Sequence, residues 1–339
     1  MSKEIVFGVI GLGFGAVHTR VLGEMEGVRL AAVCDSDAQR LTAVSRGRTV
    51  NTYQDYETML REEALDAVVV AVPIRLHEQV ALKVIDAGKA LLVEKPLAAS
   101  LEEGRRIVDA ASKRGVVLTS GHIERFNPAV QELARRLRQG EAGRVLQVTA
   151  RRLGPFATRT RDVSVVHDLA LHDIDIMLHM FGRGVESAYA QTQPSVRTDS
   201  DDTVAGVLRF RDGPVGLLEV NWITPRKVRE LSVLGERGLF VLDYLAQTLE
   251  FYESEPSEAS QGGPGWQALA TLRGGSGAGT HIPIEPREPL ERELSAFAAA
   301  LRDGTPPQVT AKDALAALAV ADALTESAKT GRPVVPQGL

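Results

Sequence analysis

Residues 5–10 (IVFGVI) carry no charge and run straight into Gly11-Leu12-Gly13-Phe14-Gly15-Ala16, after which a helix-forming stretch continues to about Met25. This junction narrows the fold more than any other feature of the chain. A buried strand that ends in a glycine turn and opens into a helix is the first unit of a doubly wound sheet. Gly11 allows the tight turn, and Gly13 lets the backbone approach a pyrophosphate. The helix N-terminus then offers its free N–H groups to that charge. Ala16 stands where the usual spacing has its third glycine, which the pattern tolerates, and Gly15 reads as an addition. A second strand, 28–34 (VRLAAVC), ends at Asp35. A carboxylate at that place binds both ribose hydroxyls of a dinucleotide and repels a 2′-phosphate. No arginine follows Asp35 directly, so NAD is favoured over NADP. The alternative for Asp35 is a turn residue that starts the next helix.

The same alternation continues to Gly121. Apolar runs at 66–72, 90–93 and 116–120 read as strands, separated by helical patterns at 37–46, 55–63, 76–87 and 100–114. Continuously apolar strand interiors predict a parallel sheet covered on both faces. Beyond Gly121 the rhythm changes. A helix at 128–139 leads into an Arg-rich strand near 144–152, a helix at 165–181, and strands at 185–193, 203–210, 214–221, 228–234 and 239–243. Their apolar–polar alternation predicts a sheet with one face against helices. Residues 253–281, rich in Gly, Ser and Glu, read as a loop, and helices follow at 288–302 and 312–329. The expected class is α/β. A Rossmann domain with a parallel sheet covers 1–122, and an α+β domain with an open, mostly antiparallel sheet covers 123–339.

Charge and cysteine exclude several classes. A net charge of -5 gives no reason to expect nucleic acid. The single cysteine, Cys34, rules out a disulfide framework and a cysteine-rich zinc site. The run from Ile5 to Ile10 is too short for a signal peptide. No uncharged stretch approaches the about 20 residues a membrane span needs. The expectation is a soluble, cytoplasmic protein with no metal.

Arginine outnumbers lysine 31 to 8, yet a lysine, Lys95, follows the apolar run Ala90-Leu91-Leu92-Val93 in the tripeptide Glu94-Lys95-Pro96. Lysine can lose its proton when desolvated and arginine cannot, so this position suits proton chemistry. The densest ionisable cluster is His167-Asp168-Leu169-Ala170-Leu171-His172-Asp173-Ile174-Asp175. On a regular helix Asp168, His172, Asp175 and His179 share an arc of roughly 60°. A solvated polar face explains this equally well. Metal binding does not suit it, because His167 and His172 are five apart and face different ways. Acid–base work suits it better, since histidine titrates near neutrality and a carboxylate one turn away can fix its tautomer.

Taken in order, the glycine loop, Val72-Pro73-x-x-x-His77, Glu94-Lys95-Pro96 and Asp168-x-x-x-His172-Asp173-Ile174-Asp175 resemble the glucose-fructose oxidoreductase/inositol dehydrogenase/MocA family over essentially the whole chain. The resemblance implies NAD as cofactor, hydride transfer to the nicotinamide, and Lys95, Asp168 and His172 as the catalytic trio. His172 is then the general base, Asp168 orients it, and Lys95 hydrogen-bonds the reacting hydroxyl. It also implies an unusual peptide geometry at Pro96, and a cofactor pocket that includes Phe14, Val72, Pro73 and Glu94. His77 lines that pocket or starts a helix. Two segments, Gly121-His122-Ile123-Glu124-Arg125-Phe126-Asn127-Pro128 and Asn221-Trp222-Ile223-Thr224-Pro225-Arg226-Lys227-Val228-Arg229, are similar to members acting on nucleotide sugars. The implied reaction is oxidation of the 3-hydroxyl of UDP-N-acetylglucosamine. Arg125, Arg152, Arg226, Lys227 and Arg229 are the candidate diphosphate ligands. Asn127 is a candidate partner for the amide. Trp222 either stacks on a ring or sits in the core. The alternatives are a dehydrogenase of a free cyclitol such as myo-inositol and a catalytically silent NAD-binding regulator. The family's open sheet implies a homodimer or homotetramer.

Overall fold

The computed structural model describes residues 4–155, 164–182, 184–193, 201–254 and 279–338. Each apolar run of the first third becomes a parallel strand. These are β1 (Ile5–Ile10), β2 (Val28–Cys34), β3 (Asn51–Tyr53), β4 (Ala67–Val70), β5 (Ala90–Glu94) and β6 (Leu118–Gly121), in the order β3-β2-β1-β4-β5-β6. Val68, Val69, Val70, Leu91, Leu92 and Val93 are fully buried, which is why both faces of these strands are apolar. The chain winds outward from β1 in one direction and from β4 in the other. Their carboxyl ends therefore diverge and leave a crevice.

Helices cover both faces. On one side lie α4 (His77–Asp86) and α5 (Leu101–Arg114), packed through Val80, Val84, Ile107 and Ala111. On the other side α1 (Gly15–Glu24) contributes Val21 and Leu22. It is joined there by α8 (Pro289–Asp303), whose Leu290, Leu294, Phe297 and Ala298 enter the same core. The chain thus returns near its end to complete the core of its first 122 residues. The amphipathic pattern of 288–302 announces a helix, but only tertiary packing decides which sheet it covers.

The second sheet is mixed. Its strands are β7 (Val145–Leu153), β8 (Val185–Gln193), β9 (Thr203–Phe210), β10 (Val215–Asn221), β11 (Val228–Gly235), β12 (Gly238–Asp243), β13 (Thr248–Glu253) and β14 (Thr280–Ile282). They are ordered β14-β13-β12-β11-β7-β10-β9-β8, with β7 and β10 parallel and the other pairs antiparallel. The inner face buries Val148, Ala150, Leu218, Leu231 and Phe240 against α6 (Pro128–Arg138), α7 (Leu171–Phe181) and α9 (Ala311–Thr330). A capping box between Thr310 and Asp313 starts α9.

One helix differs from expectation. The segment read as a single helix over 165–181 begins with a π turn, Val166–Ala170, and only then becomes α7. A π turn changes the angular step between residues, so α-helical spacing does not hold across it. Strands β13 and β14 enter the two ends of the segment read as a loop over 253–281. Residues 255–278 lie outside the described residues. Among the described residues no helix is long and apolar enough to cross a membrane.

Candidate active site

The crevice at the ends of β1 and β4 is shaped by backbone. Gly11 has φ +89°, and its N–H donates to the Cys34 carbonyl at 2.8 Å. A Cβ at Gly11 would lie 2.6 Å from the Ala71 carbonyl oxygen, so only glycine fits between the two strand ends. The close helix–strand contact expected of a third glycine belongs to Gly15, not to the position of Ala16. A Cβ at Gly15 would stand 3.0 Å from Val9 Cγ1. Gly15 is therefore a packing requirement and not an addition. Around Gly13 the loop is open: a Cβ there would meet nothing nearer than Arg40 Nη1 at 3.9 Å. Phe14 is exposed and α1 begins without a side-chain cap, which leaves its N-terminal N–H groups available. The Asp35 carboxylate is buried and accepts from Leu12 N at 2.6 Å and Asp37 N at 2.8 Å. It thereby fixes the glycine loop to the end of β2. The next helix is capped by Asp37, so Asp35 is not its starter. These features fit a dinucleotide: an open loop for the pyrophosphate and a held carboxylate for the ribose. Arg40, five residues on, brings Nη1 to 3.6 Å from Asp35 Oδ2, a neighbour that reading only the next residue missed.

Lys95 leaves the end of β5 through a cis Lys95–Pro96 peptide. His77, the first residue of α4, holds that bend. Its Nδ1 lies 2.9 Å from Pro96 O and its Nε2 2.9 Å from Val72 O. The ring is buried, which pulls its pKa down despite the two carbonyls. His77 thus starts α4, with its ring buried between the two loop carbonyls. Glu94 points inward: His18 Nε2 lies 2.6 Å from its Oε1, and Lys95 N donates to its Oε2 at 3.2 Å. Burial works to raise the Glu94 carboxyl, but the His18 bond and charge hold it below its ordinary range. Glu94 therefore supports the strand end, and its carboxylate is already committed within the protein. Val72 and Pro73 stand at the end of β4 beside the glycine loop, half-buried and exposed respectively.

Lys95 Nζ crosses to the second domain, where it donates to Asp168 Oδ1 at 2.9 Å and to the Asp168 carbonyl at 2.7 Å. An ammonium has three donors, so one remains for a substrate oxygen. His172 follows in the first turn of α7. Its Nδ1 is buried and has no partner among the described residues. Burial first, then the charges of Lys95, Arg152, His122 and Arg229, hold its pKa well below the ordinary histidine value. The expectation that Asp168 orients His172 is corrected. Asp168 holds Lys95 instead, because the π turn removes the α-helical register that would stack it one turn before His172. His167, the other histidine of the cluster, lies 2.8 Å from Asp322 Oδ1 and serves packing against α9.

The candidate substrate residues separate into buried and open groups. Arg125 is buried, with Nε donating to Asp175 Oδ2 at 2.7 Å, Nη2 to Asp175 Oδ1, and Nη1 3.3 Å from Asp313. Arg152 is buried, with Nε 2.6 Å from Asp173 Oδ2 and Nη1 3.1 Å from Glu124. It also lies over the Tyr244 ring at 5.0 Å. Burial alone would lower both guanidinium pKa values, but their carboxylate partners raise them. Both are structural ion pairs with their forks filled, which corrects their reading as diphosphate ligands. Asn127 caps α6, accepting from Ala129 N at 3.1 Å and donating to Tyr244 O at 3.0 Å. Trp222 is core, with Nε1 donating to Asp202 at 2.6 Å. Neither is free for a sugar. Arg226 and Lys227 are exposed on the turn between β10 and β11. Glu124 and Asp173 were missed as partners, although both stand inside the motif segments. Among the described residues no cluster of His, Cys, Asp and Glu could hold a metal ion.

Known proteins share the sequence pattern and the fold. Residues 5–122 match the oxidoreductase family with an NAD-binding Rossmann fold, and residues 134–335 match that family's C-terminal alpha/beta domain. Inositol 2-dehydrogenase 2 of Saccharopolyspora erythraea is 32% identical over 336 residues, 96% of this chain and 93% of the relative. UDP-N-acetylglucosamine 3-dehydrogenase of Acidithiobacillus ferrooxidans is 30% identical over 246 residues, 72% of this chain and 76% of the relative. A solved structure of the latter enzyme superposes with TM-score 0.83 at 27% identity, covering 96% of this chain and 98% of that one. The WlbA dehydrogenase of Bordetella pertussis, in complex with NADH and UDP-GlcNAcA, shares the fold at TM-score 0.83 and 24% identity, covering 98% of each chain.

Proposed function

The chain belongs to the glucose-fructose oxidoreductase/inositol dehydrogenase/MocA oxidoreductase family, in its NAD-binding Rossmann domain and its C-terminal domain alike, and from that premise we propose that it oxidises a secondary hydroxyl of a sugar nucleotide, the 3-hydroxyl of UDP-N-acetylglucosamine foremost. One observation carries this reading. Lys95 from the first domain is bonded across the crevice to Asp168 of the second, four residues before His172, and its charge lowers the proton affinity of that histidine. The dinucleotide, when bound, supplies the acceptor for the hydride. The protein's own groups manage the proton. The third donor of Lys95 bonds the substrate oxygen and stabilises the negative charge that grows there as the proton leaves. Asp168 holds Lys95 in place through two bonds. His172, kept neutral by burial and by the cations around it, takes the proton.

A diphosphate-bearing substrate is favoured by cations that the protein leaves exposed, Arg226 and Lys227 on the β10–β11 turn. The second reading, oxidation of a free cyclitol such as myo-inositol, is supported by the longer match to the inositol dehydrogenase. The outer sheet face exposes Val207, Val215 and Leu234, which supports self-association as a homodimer or homotetramer. A panel of UDP-sugars and free polyols with NAD, read by absorbance of the reduced cofactor, decides between the substrates. Turnover of polyols alone would reject the nucleotide-sugar reading. Turnover of neither, with NAD bound, would favour a silent regulator.

A further inference from the structure

Three arginines stand on the second domain's side of the cleft, and one differs in kind. Arg125 and Arg152 are forked onto carboxylates. Arg229, half-buried on β11, has no carboxylate partner among the described residues. Its Nη1 donates to the carbonyls of Leu153 at 2.5 Å and Val228 at 2.7 Å. Among the described residues the remaining N–H donors, on Nε and Nη2, have no hydrogen-bond partner. Its cross-strand partner in the β11–β7 register is another cation, Arg152. Burial and the Arg152 charge together bring the Arg229 pKa down to about 10. A partly desolvated guanidinium set against a second cation, with most of one edge open, is stabilised by an oxyanion.

Gly154 borders that edge. A Cβ at Gly154 would touch Arg229 Nη1 at 3.7 Å, Nη2 at 3.8 Å and Lys227 Cγ at 3.7 Å, so glycine keeps a side chain out of this space. Asn221 Oδ1 accepts from Ile223 N at 3.2 Å and Thr224 N at 3.0 Å, which fixes the turn that carries Lys227 beside Arg229. The catalytic groups are near. Arg152, opposite Arg229 in the strand register, is bonded to Asp173, the residue after His172. The Arg229 charge acts on His172, and the Asp168 charge acts on Arg229.

We propose that Arg229, with Lys227, receives an oxyanion of the substrate carried within one sugar ring of the oxidised carbon, either a phosphate joined to the ring or a carboxylate on it. This rests on the sugar-dehydrogenase reading and adds a specificity-determining residue to it. It also couples binding to chemistry. His172 is faced by Lys95 from the end of β5, His122 from the end of β6, Arg152 from β7 and Arg229 from β11, with Asp168 and Asp173 on its own segment. An anion at Arg229 offsets one of the cations that lower the proton affinity of His172, so the bound substrate makes the base stronger.

The test uses the whole enzyme with NAD and four substrates: UDP-N-acetylglucosamine, its 6-carboxylate, free glucuronic acid and myo-inositol. Arg229→Gln is expected to raise KM for the anionic substrates about tenfold or more, to lower the preference for anionic over neutral substrates by the same factor, and to move the acid limb of kcat/KM to higher pH. Arg229→Lys restores part of the loss, and NAD affinity reports that each variant is folded. A loss shared by the diphosphates identifies a phosphate ligand. A loss confined to the two carboxylates identifies a uronate. Turnover of UDP-sugars by the wild type, with KM and the acid limb unmoved in Arg229→Gln, overturns this inference and leaves the nucleotide-sugar reading standing. Wild-type turnover of myo-inositol alone overturns both.

Discussion

On the first domain's side of the cleft the geometry is carried by backbone. Gly11 fits because it has no side chain, Lys95 leaves its strand end at a cis peptide, and the His77 ring sits between two loop carbonyls. On the second domain's side it is carried by charge. Arg152 joins Asp173 and Glu124, and Arg125 joins Asp175 and Asp313. These pairs fix the segments that bear His172. A parallel sheet delivers strand ends to one edge by topology, so its loops need only local conformational constraints. An open mixed sheet against helices has no such edge, and buried pairs position its polar groups instead. The difference teaches where each side is vulnerable. Removing one partner of a buried pair leaves an uncompensated charge, whereas removing an active group from a strand end leaves the scaffold intact.

The largest expected effect tests the charge-built side. Arg125→Ala leaves Asp175 buried, 1% exposed, without its fork. The loss should be about 3–5 kcal/mol of stability, as for other broken buried pairs. A denaturant midpoint unchanged from wild type would show that the pair does not hold this side together. Lys95→Ala tests the other side and should do the opposite. Turnover should fall about 10²-fold or more with the midpoint nearly unchanged. A variant that keeps full turnover would remove Lys95 from the mechanism.

The same contrast governs what the sequence makes legible. Gly11, Asp35 and Lys95 stand in short motifs, and the fold uses them through neighbours fixed by the strand–turn–helix connection. The strand pattern likewise gives both sheets, because burial on two faces or one is written in consecutive residues. Pairings across long separations are not written that way. Arg125 and Asp175 are 50 residues apart, and Arg152 and Asp173 are 21 apart. In the sequence a buried, filled guanidinium and an open one are the same letter, so Arg125, Arg152 and Arg229 look alike. The π turn at Val166–Ala170 is also hidden, because its sequence, VHDLA, carries no glycine or proline to mark a break in the helix. That is why the arc drawn for Asp168 and His172 misassigns the partner of Asp168.

A smaller effect is expected at Asp35, the carboxylate that fixes the glycine loop to the end of β2. Asp35→Ala removes the acceptor of Leu12 N and the charge beside Arg40. NAD affinity should fall by about 1.5–3 kcal/mol, the scale of hydrogen bonds to a charged group. The ratio of NAD to NADP affinity should also fall, because Arg40 loses its counter-ion and can meet a 2′-phosphate. Isothermal titration with both dinucleotides measures this, and an unchanged ratio would separate Asp35 from cofactor choice.

The smallest effect lies where the two sides meet. Glu293, on α8, is buried, and neither carboxylate oxygen has a hydrogen-bond partner among the described residues. Burial first, then the charges of Glu94 from one side of the cleft and Asp175 from the other, raise its pKa well above the ordinary value. The folded protein therefore binds a proton that the unfolded chain releases above its own carboxylate range. The contribution of such a group is complete below the unfolded pKa and declines as pH rises through the folded one. Glu293→Leu removes that decline along with an unsatisfied polar group. The variant should be more stable than wild type by about 1–3 kcal/mol at pH 7, with the gap narrowing as pH falls toward the ordinary carboxylate range. Chemical denaturation at both pH values tests the sign. A leucine variant that is less stable at neutral pH would mean that the acid is held by partners from both sides, and that backbone and charge are not built separately where the domains join.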